Sequence, residues 1–267
     1  MPPRAPDDLR PTERFTDRVE DYDRYRPGYP PEIVAWLARE VGLAPSWRVA
    51  DVGSGTGRLS ALFLDAGLST SCVEPNAAMR RAAERRFAGR PGFHSVDGRA
   101  EATGLPAGSI DLVAAGQAFH WFDPAAARRE FARILRPGGP ALLVWNDRRA
   151  EGTPFMAAYE AMLAATCPDY RRVGRVKTEV ADLEAFYGPA GYRTWRAETA
   201  QTLDLEGARG RMLSSSYVPQ AGDPAHEGAM AAFRRVFDAH AQDGVVRFAY
   251  ETVAYVGRSM PARAADR

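Results

Sequence analysis

The chain has 267 residues, 45% of them hydrophobic and 26% charged, with a formal net charge of +1. That length holds one sizeable α/β core with elaborations, and so balanced a charge lacks the footprint of a protein that grips nucleic acid or an anionic membrane surface. With only Cys72 and Cys167, no secretory leader pattern and no apolar run near the ~20 residues of a membrane span, the expectation is a reducing cytoplasm, a small-molecule partner and no metal.

Residues 1–14, rich in Pro, Asp and Arg, read as a flexible arm that can bury little. From Phe15 onward Tyr22, Tyr25 and Tyr29 stand among Arg18, Arg24 and Arg26 before Pro30-Pro31, which suits a lid or a basic helix whose rings pack on the core. Pro30-Pro31 opens a helix with Ile33, Val34, Trp36, Leu37 and Val41 on one side, stopped by Gly42. Val49 to Val52 then reads as a buried strand, Gly53, Gly55 and Gly57 alternate behind Asp51, and Leu59, Leu62 and Phe63 resume helical spacing toward Gly67. Strand, glycine turn, helix is the plan of a cofactor-binding edge: glycines let the backbone approach a ligand, and the helix N-terminus faces it with free N–H groups.

Leu68 to Glu74 is the next strand, and Asn76, a good N-cap, starts the helix that runs to Phe87 with Met79 in its first turn. That leaves Glu74, at the strand tip, able to accept hydrogen bonds from both hydroxyls of a ribose. Strands follow at Gly92 to Val96 and Ser109 to Ala115, the latter leaving through Gly116-Gln117-Ala118-Phe119-His120. His120 thus stands where open α/β sheets place ligands, as site wall or as packing. The helix Pro124 to Leu135, the strand Pro140 to Asn146 and right-handed crossovers complete a parallel sheet. Beyond it the spacing predicts helices over Pro154 to Ala165, Ala181 to Tyr187, Glu206 to Tyr217 and Pro224 to Ala241, with strands at Tyr192 to Leu203 and Val245 to Val256. Pro168 to Lys177 is a basic loop, facing an acidic substrate or simply solvated. No internal repeat and no inter-domain linker interrupts the chain.

Glycines at positions x, x+2 and x+4 differ from the G-x-G-x-x-G of dinucleotide sites, and no P-loop lysine is present. An acid before the turn and another at the next strand tip suit a nucleoside with an amino-acid tail. Here the chain resembles the class I S-adenosylmethionine-dependent methyltransferases: Asp51 to Gly57 looks like their first motif and Glu74 like their ribose-binding acid. Leu105-Pro106, Asp111-Leu112-Val113, Gln117 to Phe122, Leu135 to Gly139, Val144-Trp145-Asn146 and Ser214 to Val218 look like the small-molecule branch that includes trans-aconitate methyltransferase-like enzymes, and Tyr22, Arg26-Pro27 and Tyr29-Pro30 resemble its amino-terminal cover.

The resemblance implies an α/β, Rossmann-like doubly wound seven-stranded sheet with the last strand antiparallel, a helical N-terminal cover and helical insertions near the C-terminus. It implies a single domain over 1–267: arm 1–14, cover 15–45, cofactor-binding core 46–146, and substrate-side insertions with terminal strands 147–267. S-adenosylmethionine is the implied cofactor, bound by Asp51, Gly53, Gly55, Gly57, Glu74, Pro75, Met79, Arg99, Ala100 and Gln117, with Tyr22 and Arg26 toward the methionine carboxylate. The implied activity is in-line methyl transfer to a small acceptor, O-methylation of a carboxylate or hydroxyl preferred, with His120 taking a proton where the acceptor has one to lose. N- or C-methylation, cofactor binding without transfer, and a nicotinamide-dependent oxidoreductase stay open. Oligomeric state is not encoded in any of these motifs.

Overall fold

The computed structural model describes residues 19–170 and 180–258; the expected arm, residues 15–18 of the cover and the basic stretch from Arg171 to Lys177 lie outside the described residues. Helices α1 (Val19–Tyr25) and α2 (Glu32–Val41) precede a βα alternation. It runs β1 (Arg48–Val52), α3 (Arg58–Asp65), β2 (Ser69–Val73), α4 (Ala77–Arg86), β3 (Phe93–Val96), β4 (Leu112–Gly116), α5 (Pro124–Ile134) and β5 (Pro140–Arg148). Then follow α6 (Pro154–Thr166), α7 (Val180–Tyr187), β6 (Arg193–Leu203), α8 (Leu205–Leu213), α9 (His226–His240) and β7 (Val246–Arg258).

The seven strands form one sheet in the order β3-β2-β1-β4-β5-β7-β6. β1 to β5 are parallel, and β7 is antiparallel to both β5 and β6, as expected for the last strand. Burial on both faces explains why the central strands β1, β4 and β5 are largely apolar: Val49, Leu112, Leu142 and Val144 meet Ile33, Leu37, Leu59 and Phe63 of α2 and α3 on one face. Ala50, Val52, Val113, Ala115 and Leu143 meet Phe131, Ile134, Leu183 and Phe186 of α5 and α7 on the other. Each such Leu, Ile or Phe stabilises by roughly 1.5–3 kcal/mol. A further core beside the β7 end joins Tyr159 and Leu163 of α6, Met212 of α8 and Phe233 of α9 to Phe248 of β7.

Local signals set the helix ends. Gly42 ends α2 at φ 81, donating its N–H to the Leu37 carbonyl, and the Asn76 side chain caps α4 by accepting from Ala78 N and Met79 N at 2.9 and 3.0 Å. Three expected boundaries are corrected. β4 starts at Leu112 because Ile110 pairs instead with the end of α5 and Asp111 turns its carboxylate to Arg48 N and Arg136. β5 continues past Asn146 to Arg148 because Asp147 and Arg148 pair with Glu251 and Tyr250 of β7. α8 stops at Leu213 rather than reaching Tyr217, since the Ser214 carbonyl is taken by the Arg26 guanidinium and a turn closes from Val218 N to Ser215 O.

The chain winds from β1 outward to β2 and β3 on one side, and to β4 and β5 on the other. The carboxyl ends of β1 and β4 therefore flank the crevice of a topological switch point.

Candidate functional site

At the end of β1 the main chain turns through Gly53, Gly55 and Gly57 at φ 68, 57 and 82, the left-handed region that glycine occupies without penalty. Two of the three also need the missing side chain for packing. A Cβ on Gly53 would lie 2.8 Å from Ala118 Cβ, and one on Gly57 would run into the Phe87 ring. Only Gly55 faces open space, bounded by the Tyr22 ring at 3.9 Å. Gly53 and Ser54 donate their N–H groups to the Val73 carbonyl, which welds the turn to the tip of β2.

Glu74 stands on that tip, almost wholly buried. Its carboxylate is held by main chain, accepting from Gly55 N at 2.9 Å and Asn76 N at 2.8 Å. Burial pushes its pKa up, and these two bonds pull it partly back. Each oxygen keeps a lone pair, enough to accept two further hydroxyls. Asp51 lies beneath the turn with no exposure; Ser60 Oγ donates to Oδ2 at 2.5 Å, and burial raises its carboxyl to about 7.

Buried side-chain atoms without a protein partner concentrate here. Among the described residues they are Asp51 Oδ1, Ser54 Oγ and Thr56 Oγ1 in the turn itself, Arg26 Nε, Arg58 Nε and His120 Nδ1 on neighbouring elements, and Tyr159 Oη in the second core. Native interiors pair such atoms almost without exception, so a cluster of them marks a place shaped for something polar. The turn thus fits a polar nucleoside-bearing cofactor: a positive-φ backbone cradle, a carboxylate held ready by main chain and, beneath them, buried oxygens without a protein partner among the described residues.

The other sequence-predicted residues divide. Met79 is buried with Val19, Ala82 and Tyr22 where α1 crosses α4, and Pro75, next to Glu74, is half-buried. The Ala100 methyl belongs to the core with Ala50, Val52 and Val73, while Arg99 is exposed, its backbone paired with Ala102. A ligand there meets backbone and the Arg99 side chain, not the Ala100 methyl. Gln117 holds φ 55, rare for a residue with a side chain, fixed by Gln117 N to Val144 O and by its own amide donating to Asn146 O at 3.0 Å. His120, in a one-turn 3-10 helix at Phe119–Trp121, is half-buried while its Nδ1 is shut away, and burial lowers its pKa to about 4.

The cover binds across the sheet. Tyr22 reaches toward Gly55, and the Arg26 guanidinium sits over the Tyr22 ring, 5.1 Å from its centroid. Arg58, at the start of α3, donates to the Tyr22 and Asp23 carbonyls, and Asn146 donates to the Gly28 carbonyl at 2.9 Å.

Behind the cover lies a cavity of 420 Å³, walled by Arg26, Gln117, His120, Arg148, Arg211 and Tyr217 among others. Gln117 and His120 tie it to the cofactor edge. Arg148 pairs with Glu160 at 2.8 Å and with the Tyr217 hydroxyl, and Tyr170 donates to Glu160. Burial pushes the Tyr217 phenol up, and Arg148, Arg211 and Arg26 together more than reverse it, leaving it below an ordinary tyrosine. Sequence reading singled out neither Arg148, Glu160 nor Arg211, and it reached Tyr217 only as part of a family tag. Their positions are hundreds of ångströms of extended chain from Arg26, and no local pattern joins them.

Residues 50–143 match the family model described as a methyltransferase domain. An uncharacterized methyltransferase of Mycobacterium tuberculosis is 42% identical over 134 residues, 50% of this chain and 52% of that one. The malonyl-[acyl-carrier protein] O-methyltransferase of Methylococcus capsulatus is 36% identical over 119 residues, 40% of this chain and 43% of its own. The chain therefore spans about half the length of the curated relatives it matches. A solved structure from Anaeromyxobacter dehalogenans, assigned as a type II methyltransferase, is similar with a TM-score of 0.63 at 25% identity, over 89% of this chain and 100% of its own.

Proposed function

Because the chain carries a class I methyltransferase fold around a matched methyltransferase domain, we propose that it binds S-adenosylmethionine and transfers the methyl group to a small-molecule acceptor. The observation that carries this reading is the glycine turn, where the unpartnered Asp51 Oδ1, Ser54 Oγ and Thr56 Oγ1 lie beside a Glu74 carboxylate held by Gly55 N. In it Glu74 takes the ribose hydroxyls, the Gly53–Gly57 backbone and Asp51 border the methionine part, Pro75 and Met79 flank the adenine with the Arg99-Ala100 backbone at its edge, and Gln117 faces the sulfonium. Tyr22 and Arg26 close over the amino-acid tail. The whole of 1–267 acts as one domain in this reading, 46–146 holding cofactor and 147 onward walling the acceptor.

The bound cofactor supplies an electrophilic methyl and a neutral leaving group. What the chain supplies is alignment and exclusion of water, effects that together reach about 7–11 kcal/mol in well-oriented systems. The cover provides the exclusion, pinned by Arg58 to the glycine helix and by Arg26 to Ser214 and Ser215. Burial holds the His120 pKa down to about 4, so its ring is neutral at pH 7 but less basic than an ordinary imidazole; it can assist a hydroxyl acceptor only weakly, and a carboxylate needs no such help. O-methylation is the preferred outcome, in keeping with the name of the Methylococcus capsulatus relative. The likeness to trans-aconitate methyltransferases rests on the sequence tags. Cys72 and Cys167 are buried and unpaired, which supports a reducing, cytoplasmic setting, and among the described residues no helix is long and apolar enough to cross a membrane.

The test is calorimetric titration with S-adenosylmethionine and S-adenosylhomocysteine, Glu74→Ala as control, then a mass-spectrometric screen of acceptors for the gain of one methyl. Saturable binding weakened by the substitution supports the reading. A folded sample that ignores both compounds, or that binds NADH instead, overturns it.

A further inference from the structure

Among the described residues, two guanidiniums in the cavity have no acid to neutralise them. Arg211 is 2% exposed, yet its partners are neutral: Nε donates to the Tyr250 hydroxyl at 2.9 Å and Nη1 to Ser215 Oγ at 3.2 Å. Arg26 reaches the same Ser215 Oγ at 3.4 Å and the Ser214 carbonyl at 3.0 Å, and its Nε has no partner. Both side chains line the cavity. Of the two acids that line the cavity, the half-buried Glu160 is already committed to Arg148 and Tyr170, and Asp147 is exposed. Two adjacent like charges, one buried and one half-buried, that share a serine hydroxyl are costly unless an anion joins them.

We propose that Arg211 and Arg26, joined through Ser215 at the floor of the cavity, form a subsite that anchors a carboxylate of the methyl acceptor. The inference rests on the methyltransferase reading and adds to it a substrate class. The anchored group is the acceptor's rather than the cofactor's because of where Arg211 lies. Contacts run in a chain from Gly55 to Tyr22, Tyr22 to Arg26, Arg26 to Ser215 and Ser215 to Arg211, which then rests against Tyr250 of β7. Arg26 borders both compartments, whereas Arg211 stands two contacts further from the glycine turn. A planar carboxylate matches the fork geometry of guanidinium donors, and a cavity of 420 Å³ restricts the remainder of the molecule to metabolite size.

The experiment uses the full chain saturated with S-adenosylhomocysteine and titrates benzoate, cinnamate, succinate and glutarate, each against its amide. At least one carboxylate is expected to bind about tenfold or more tighter than its amide, and Arg211→Met to erase that preference. Arg211→Lys, which keeps the charge but loses the fork, retains part of it and stands in if the methionine variant fails to fold. Affinity for S-adenosylhomocysteine relative to methylthioadenosine, which lacks the carboxylate, stays as in the unsubstituted chain. No carboxylate preference anywhere in the panel, or a preference untouched by Arg211→Met and Arg211→Lys, overturns the proposal. So does selective loss of S-adenosylhomocysteine over methylthioadenosine, which returns the site to the cofactor's own tail. Carboxylate binding is also read by thermal shift without cofactor, so failure of the subsite and failure of the methyltransferase reading give different results.

Discussion

The two halves of this molecule make polar sites by opposite means. On the β1–β4 side the carboxylate of Glu74 is held by main-chain N–H groups, and the glycine turn is defined by backbone angles. On the β5–β7 side the cavity is walled by long side chains that hold one another: Arg148 with Glu160 and Tyr217, Arg211 with Tyr250, Tyr250 with Gln201. A backbone-built site tolerates change in its side chains but not in its glycines, and it suits a constant ligand. A wall of side chains can be re-cut by single substitutions without disturbing the sheet, which suits the partner that differs from one enzyme to the next.

The sharpest way to break that contrast is at Gly57. Valine there meets both a left-handed backbone and the buried Phe87 ring, for an expected loss of about 2–5 kcal/mol, seen as a lower urea midpoint. A midpoint unchanged from the parent would show that the turn is less tightly specified than its geometry requires. Asp51 tests the same half through pH. Its folded pKa, about 7, lies above the 3.8 of the free group, so its contribution is complete below pH 3.8 and is lost as pH rises through 7. Asp51→Asn removes that loss, and its stability relative to the parent is expected to improve by up to about 4 kcal/mol between pH 4 and pH 8. A constant difference across that range would mean that Asp51 is ionised without penalty.

On the side-chain half, Arg148→Met leaves Glu160 without its cation, and the expected cost is about 2–3 kcal/mol by chemical denaturation, reduced from a fully buried pair because both groups keep some exposure. Arg148→Met combined with Glu160→Gln should recover part of it, and no recovery would mean that the two do not act as a pair. The smallest expected effect on folding, with a clear one on binding, is Glu74→Gln. It weakens S-adenosylhomocysteine by roughly 1.5–3 kcal/mol, the worth of hydrogen bonds to a charged group, and moves the melting temperature little. Equal affinity would detach the ribose from Glu74.

The contrast also decides what the sequence could reveal. Asp51, the glycines and Glu74 were legible because their signal is local: acid, turn and strand tip fall within 24 residues, and strand and helix periodicity fix their place. The seven-stranded sheet and its antiparallel last strand followed from the family resemblance rather than from spacing. Arg211 carried no signal, since a guanidinium inside α8 reads as helix surface until β7 and Arg26 are folded against it. The overrun of α8 has the same origin, because the carbonyl of Ser214 is claimed from 188 positions away.

That long-range hydrogen bond ties two distant parts of the chain together. Arg26 spans the cover: its ring partner Tyr22 lies over the glycine turn, and its donors hold Ser214 and Ser215 at the acceptor floor. Displacing the cover therefore breaks the hydrogen bonds that fix Ser214 and Ser215 at the same time. Such a linkage couples the two compartments, so a substitution that loosens Arg26 is expected to be felt both over the glycine turn and at Ser214 and Ser215.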